Sequence, residues 1–253
     1  MIIMIALIIL ILITLYIKYS IKIESFNNEN NLLVVSGYWN VKNKYPNNSY
    51  NEWFKNTLNI NQTYVFYCDK DTNDYILSFR NGYKTIFVDY PLNNFFCKKY
   101  INHDVIHPTH VPSNELAYIW HEKIHLLKLT KDNDKNNTEY YIWIDAGVGP
   151  YRTKQPSNKK LVVNKEIINQ KKLYYSEVNE DYHNFAATVL LVHRDVIDEI
   201  HEKYYALLNS CDDEWKCGSD QYIYTKMVLL YPDLFYKFTN GYGENLIKLF
   251  EIS

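Results

Sequence analysis

The pattern of apolar and polar positions divides this chain into two unequal parts. From Met1 to Ile17 there is no charged residue, and nearly every side chain is Ile, Leu or Met; Lys18 closes the run. A helix of that length sits at the short end of the ~17–25 residues that span a hydrocarbon core. Tyr19 and Ile21 extend it, with Lys18 and Lys22 snorkelling to the interface. A cleaved signal would need a basic leader and a small-x-small site, and neither is present. The expectation is a retained single-pass transmembrane anchor over residues 1–22, a short linker over 23–30, and one domain over 31–253.

Within that domain four short apolar runs lack the alternation of a half-exposed strand and read as fully buried ones. They are Leu32-Leu33-Val34-Val35, Tyr64-Val65-Phe66-Tyr67, Thr85-Ile86-Phe87-Val88 and Tyr141-Ile142-Trp143-Ile144. Each runs into a small or acidic residue: Ser36-Gly37, Asp69, Asp89 and Asp145. Helical patterns lie between them. Ser49-Tyr50-Asn51-Glu52 reads as a capping box opening a helix through Leu58. Pro112-Ser113 opens a longer helix to about Leu129. A fifth strand, Ala187–Val192, feeds a helix from Arg194 to Leu208, and Ser219 opens one that stops near Pro232. Polar stretches over 131–139 and 151–169 read as loops. Strands alternating with helices predict an α/β fold with a mostly parallel sheet and helices on both faces. In such a sheet ligands bind beyond the carboxyl ends of strands, at a topological switch point.

Composition narrows the classes. With 47% hydrophobic and 16% aromatic residues the chain can build a core, despite its many Asn and Lys. A net charge of -2 with mixed signs gives no basic footprint for nucleic acid. The four cysteines form no CxxC pair. Cys68 reads as a buried strand residue. Cys211 and Cys217 either close a small disulfide or stay free thiols. The sequons at Asn47, Asn61 and Asn136 decide nothing in a chain this rich in Asn.

Several side chains carry possible chemistry. His121-Glu122-Lys123-Ile124-His125 matches H-E-x-x-H, in which two His one turn apart bind zinc and the Glu is a general base. Laid out at 100° per residue, Leu116, Ile119, Trp120, Ile124 and Leu127 share one face, and His121, Glu122 and His125 fall opposite. The expectation is a solvated helix face. Lys123 projects from the apolar side, so it either snorkels or meets an anion. His103, His107 and His110 read as surface residues of a Pro-containing loop. Asp145, at the exit of a central strand and followed by Ala146-Gly147, could hold a divalent cation bridging a diphosphate; the small residues let a ligand approach the backbone. Asp220 either complements a helix dipole or places a carboxylate on the floor of a crevice.

These segments together resemble the HtrL/YibB family, a group assigned to the glycosyltransferases. The carriers are Val34-Val35-Ser36-Gly37-Tyr38-Trp39-Asn40, Tyr50 to Trp53, Val65 to Asp69, Ile76-Leu77-Ser78-Phe79-Arg80, Trp120 with Lys123, Trp143-Ile144-Asp145-Ala146-Gly147, and Ser219-Asp220-Gln221. The resemblance implies a GT-A-like, Rossmann-like fold and transfer of a sugar from a nucleotide-sugar donor to a glycan, lipid or protein acceptor. It implies that Ser36, Gly37, Tyr38 and Asp69 line the nucleotide pocket, and that Arg80 and Lys123 face phosphates or hold the site together. Asp145 would contact the sugar diphosphate through Mn or Mg, near Gly147, and Asp220 with Gln221 would lie on the acceptor side. Typical metal-dependent members carry Asp-x-Asp, and here position 147 is Gly. A catalytically silent, membrane-tethered glycan- or partner-binding domain is the second reading, and a zinc peptidase the third. Lys18 and Lys22 favour a cytosolic domain, whereas a Golgi- or ER-type transferase needs a lumenal one.

Overall fold

The computed structural model describes residues 31–252 apart from Asn102. The expected anchor and linker lie outside the described residues. Among the described residues, no helix is long and apolar enough to cross a membrane.

Seven strands form one sheet: β1 (Leu32–Tyr38), β2 (Tyr64–Cys68), β3 (Thr85–Asp89), β4 (Tyr140–Ile144), β5 (Leu173–Glu177), β6 (Phe185–His193) and β7 (Phe235–Asn240). Their order is β3-β2-β1-β4-β6-β5-β7. The four runs expected from the sequence pair parallel to one another. β6 lies antiparallel to β4 and to β5, and β7 is parallel to β5, so the sheet is mixed. The chain winds outward through β1, β2 and β3, then returns to place β4 on the other side of β1. A switch point therefore opens between the carboxyl ends of β1 and β4.

Alternate β1 residues enter two separate cores. Leu33 and Val35 pack with Tyr141, Trp143 and the helices α3 (Asn114–Asn133), α4 (Ile197–Asn209) and α5 (Asp220–Leu230). Leu32 and Val34 pack with Ile142, Ile144 and the helices α1 (Asn47–Thr57), α2 (Asn73–Phe79) and α6 (Glu244–Glu251). Burial on both faces explains why these strands read as unbroken apolar runs, each fully buried Leu or Val contributing about 1.5–3 kcal/mol.

Some expectations need correction. β3 is an edge strand, and only Val88 of its apolar run is buried. Helix α1 begins at Asn47 after Pro46 and has no side-chain cap, so the capping box is not formed. Ser113 does cap α3, accepting from Leu116 N at 3.2 Å, but that helix runs on to Asn133. Strands β5 and β7 and helix α6 had no counterpart in the sequence reading.

Candidate functional site

A cavity of about 490 Å³ opens at the switch point. At its floor, Lys123 rises from the middle of α3 and is almost wholly buried. Its ammonium lies 3.2 Å from Asp145 Oδ1 and 3.0 Å from Asp220 Oδ2, and it donates to Ala187 O at 3.0 Å. The three oxygens come from the exit of β4, the first turn of α5 and the middle of β6. A buried ammonium is tolerated only with such partners. Burial works against its charge, but Asp145 and then Asp220 outweigh it and hold Lys123 above the ordinary lysine range. Asp220 is pushed up to about 6 by its own burial, with Lys123 pulling the other way. The carboxylate loses more by leaving water than it regains from one shared cation.

Asp145 is anchored twice more. Trp143 Nε1 donates to Oδ1 at 2.6 Å, and the Asp145 N–H donates to Thr188 O at 3.0 Å. The rest of its carboxylate faces the cavity. Beside it, Tyr38, Tyr50 and Phe54 make an aromatic wall, with Phe54 edge-on to Tyr38 at 5.0 Å between centroids. Arg152 closes that end: its guanidinium lies 3.9 Å over the Trp53 ring, and Nε donates to Gly147 O at 3.0 Å. Two glycines keep this end open. A Cβ at Gly37 would fall 2.7 Å from the Trp39 ring, and one at Gly147 would fall 3.2 Å from Trp53 Cε3.

The opposite wall carries Leu116, Ile119 and Trp120, with Lys44 4.9 Å over the Trp120 ring. The lining is completed by His110, Glu180, Tyr182, His183, Gln221 and Tyr242. Gln221 Nε2 donates to His183 Nε2 at 2.7 Å, which suits a neutral ring; burial pushes that imidazole down to about 4.

Of the residues singled out by sequence, Gly37, Tyr38, Lys123, Asp145, Gly147, Asp220 and Gln221 line this one cavity. Three others do not. Ser36 is buried behind it, where its Oγ donates to Ile144 O at 2.6 Å and ties β1 to β4. Asp69 stands at the exit of β2, its carboxyl raised by burial and by Asp89. Arg80 is wholly buried. Its guanidinium donates to the carbonyls of Leu58, Ile60, Gln62 and Lys84, and lies 3.8 Å over the Tyr64 ring. The sequence pattern gave no role to Lys44, Trp53, Arg152 or His183; Arg152 fell in the polar stretch 151–169 that read only as a loop.

The H-E-x-x-H segment also departs from expectation. Its solvated face does not exist: His121 and Glu122 are wholly buried. Glu122 accepts from the Phe96 and Cys97 N–H groups at 2.8 and 2.9 Å and from Tyr90 OH at 2.8 Å. His121 Nδ1 pairs with Tyr204 OH at 2.7 Å, while His125 stacks on Phe96 and meets His201. A base with both oxygens taken and two imidazoles turned to separate partners does not suit a zinc peptidase. His107 and His110 likewise are not free surface residues but pack on Trp215. Cys211 and Cys217 form a disulfide just before α5, and Cys68 and Cys97 are buried thiols.

No family model matches this sequence, and no curated protein does either. Solved structures do. Core-mannan synthase A of Aspergillus fumigatus, in its Mn/GDP form, superposes with a TM-score of 0.52 at 9% identity, over 85% of this chain and 74% of that one. The fold is GT-A-like. Mouse xyloside xylosyltransferase 1, in its apo form, gives a TM-score of 0.49 at 10% identity, over 81% of this chain and 84% of that one. At such identity the likeness to the mannan synthase speaks for the fold alone.

Proposed function

We propose that this chain is a glycosyltransferase that takes a nucleotide-sugar donor into the switch-point cavity and passes the sugar to a glycan, lipid or protein acceptor. The observation that carries the reading is the convergence of Asp145, Asp220 and Lys123 at the floor of one cavity whose walls suit a nucleotide. The aromatic wall of Tyr38, Tyr50 and Phe54 offers faces for a base. Arg152 and Lys44 offer positive charge to a diphosphate. Asp145 reaches the sugar side, and Asp220, Gln221 and His183 stand toward the acceptor. The HtrL/YibB resemblance supports the same reading through its quoted motifs.

A divalent cation, Mn or Mg, is what the fold class leads one to expect, and the mannan synthase is a Mn/GDP form. The residues here fit one poorly. Gly147 stands where a second carboxylate is usual, and among the described residues no three His, Cys, Asp or Glu side chains converge as ligands. The run over 1–22 supports a single-pass membrane anchor. The Cys211–Cys217 disulfide favours an oxidising, lumenal or external side, against the charge bias of Lys18 and Lys22.

The test is turnover of UDP- and GDP-sugars by the full chain. Wild type should release nucleotide, and Asp145→Asn should lower the rate by about 100-fold or more while the protein still melts cooperatively. Tight nucleotide or glycan binding with no turnover by wild type would instead establish the silent binding domain.

A further inference from the structure

The cavity floor holds one ammonium where two carboxylates converge. We infer that Lys123 occupies the position a divalent cation would need, so that the chain binds the donor diphosphate without added metal. The inference rests on reading the cavity as a nucleotide-sugar site.

Three observations carry it. First, Asp145 and Asp220 are both held by the same Nζ, at 3.2 and 3.0 Å. An ion seated between them would have to displace a buried cation that also donates to Ala187 O. Second, Asp145 Oδ1 already accepts from Trp143 Nε1 at 2.6 Å and faces Lys123, which leaves only Oδ2 open to a ligand. Third, a side chain at position 147 would crowd the Trp53 ring that supports Arg152, since a Cβ there falls 3.2 Å from Trp53 Cε3.

The physical consequence is a division of labour. Two carboxylates at the floor of a pocket repel an incoming diphosphate unless something neutralises them. In a metal-dependent site the ion does this and also touches the phosphates. Here Lys123 offsets one of the two charges from within the fold, and the remainder, with direct contact to the phosphates, falls to the cations on the walls, Arg152 and Lys44. A Lys on a helix is permanently loaded, so affinity for nucleotide should not follow metal concentration.

The experiment uses the full chain, with UDP and GDP as probes and MnCl₂ as the metal. Mn(II) binding is followed by electron paramagnetic resonance, and nucleotide binding by calorimetry in EDTA and in excess Mn. The inference expects no stoichiometric Mn signal from wild type alone, and nucleotide affinities within about threefold in the two conditions. Lys123→Met should free the carboxylate pair, so that the variant gains Mn binding and its nucleotide affinity rises about tenfold or more with Mn; Lys123→Arg, which keeps a charge at the pair, should gain no Mn binding. Stoichiometric Mn on wild type, or a tenfold rise in its nucleotide affinity with Mn, overturns the inference and leaves the transferase reading intact. Failure of wild type to bind either nucleotide in both conditions sinks the transferase reading and the nucleotide half of the inference with it. If Lys123→Met does not fold, the wild-type and Lys123→Arg titrations still decide the question.

Discussion

Arg80 and Lys123 are both buried cations, yet their surroundings differ in kind. Arg80 is surrounded by neutral groups: four carbonyls, the Thr85 hydroxyl and the Tyr64 ring. It gathers the end of α1, the approach to β2 and the approach to β3, and it does not line the switch-point cavity. Lys123 is surrounded by two carboxylates and one carbonyl, and it does line that cavity. A guanidinium suits the first task because its fork spreads over several carbonyls, and an ammonium suits the second because it is a compact charge. A buried cation on carbonyls fastens loops together. One on carboxylates that border open space stores charge where a ligand can feel it.

The most severe way to break this contrast is Arg80→Met. It strands buried carbonyls and should cost at least ~3 kcal/mol in urea unfolding, while the folded fraction keeps its UDP or GDP affinity. Loss of affinity at unchanged stability would place Arg80 in the site after all. Glu122→Gln is the matching test of the H-E-x-x-H segment. It turns an acceptor for two N–H groups and a phenol into a partial donor, so a loss of about 2–3 kcal/mol is expected, with nucleotide binding untouched. Retained stability together with a change in bound zinc would reverse that assignment.

How far the sequence led to these features depends on what each one needed. The strands β1, β2 and β4 were legible because burial on both faces leaves a continuous apolar run. β5 and β7, as Leu-Tyr-Tyr-Ser-Glu and Phe-Tyr-Lys-Phe-Thr-Asn, mix polar and apolar residues without a clean period, and their pairing is fixed only by long-range neighbours. Helix α3 misled because a helical wheel assumes one buried face. It packs against the sheet on one side and against α4 and the 96–99 turn on another, so His121 and Glu122 are buried with partners of their own. Asp145, Asp220 and Lys123 each stood out singly. Their meeting at one atom is tertiary and no local spacing announces it. Arg80 and Lys123 looked alike for the same reason.

Cys211→Ser probes a gentler dependence. Opening a six-residue separation should cost about 2 kcal/mol on chain-entropy grounds. Because that loop leads directly into Ser219-Asp220, nucleotide affinity should fall several-fold as well, whereas the Arg80 cluster, on the far side of the sheet order, should not respond. An unchanged affinity would mean that α5 presents Asp220 unaided. The smallest effect is in pH. Asp220 is raised from 3.8 to about 6, so the folded state holds its proton more tightly than the unfolded chain does. Its contribution to stability is therefore present at low pH and is lost as pH rises from about 4 through 6. Asp220→Asn removes that slope, and the stability of the variant relative to wild type should improve over the same window in parallel chemical-denaturation curves. A gap that stays flat, or moves the other way, would show that Lys123 holds Asp220 ionised throughout.

The order in which the chain is synthesised gives the triad a further meaning. A ribosome makes α3, with Lys123 on its packing side, before it makes Ala187 or Asp220. Until those segments emerge, the nascent domain has Asp145 alone to receive that ammonium, and β4 lacks the strand that closes its other edge. Docking α3 early would bury a cation short of its partners, so the half-made domain is discouraged from closing prematurely and its core waits for the later strands. A ribosome that stalls before α5 should leave a chain that quality-control proteases recognise.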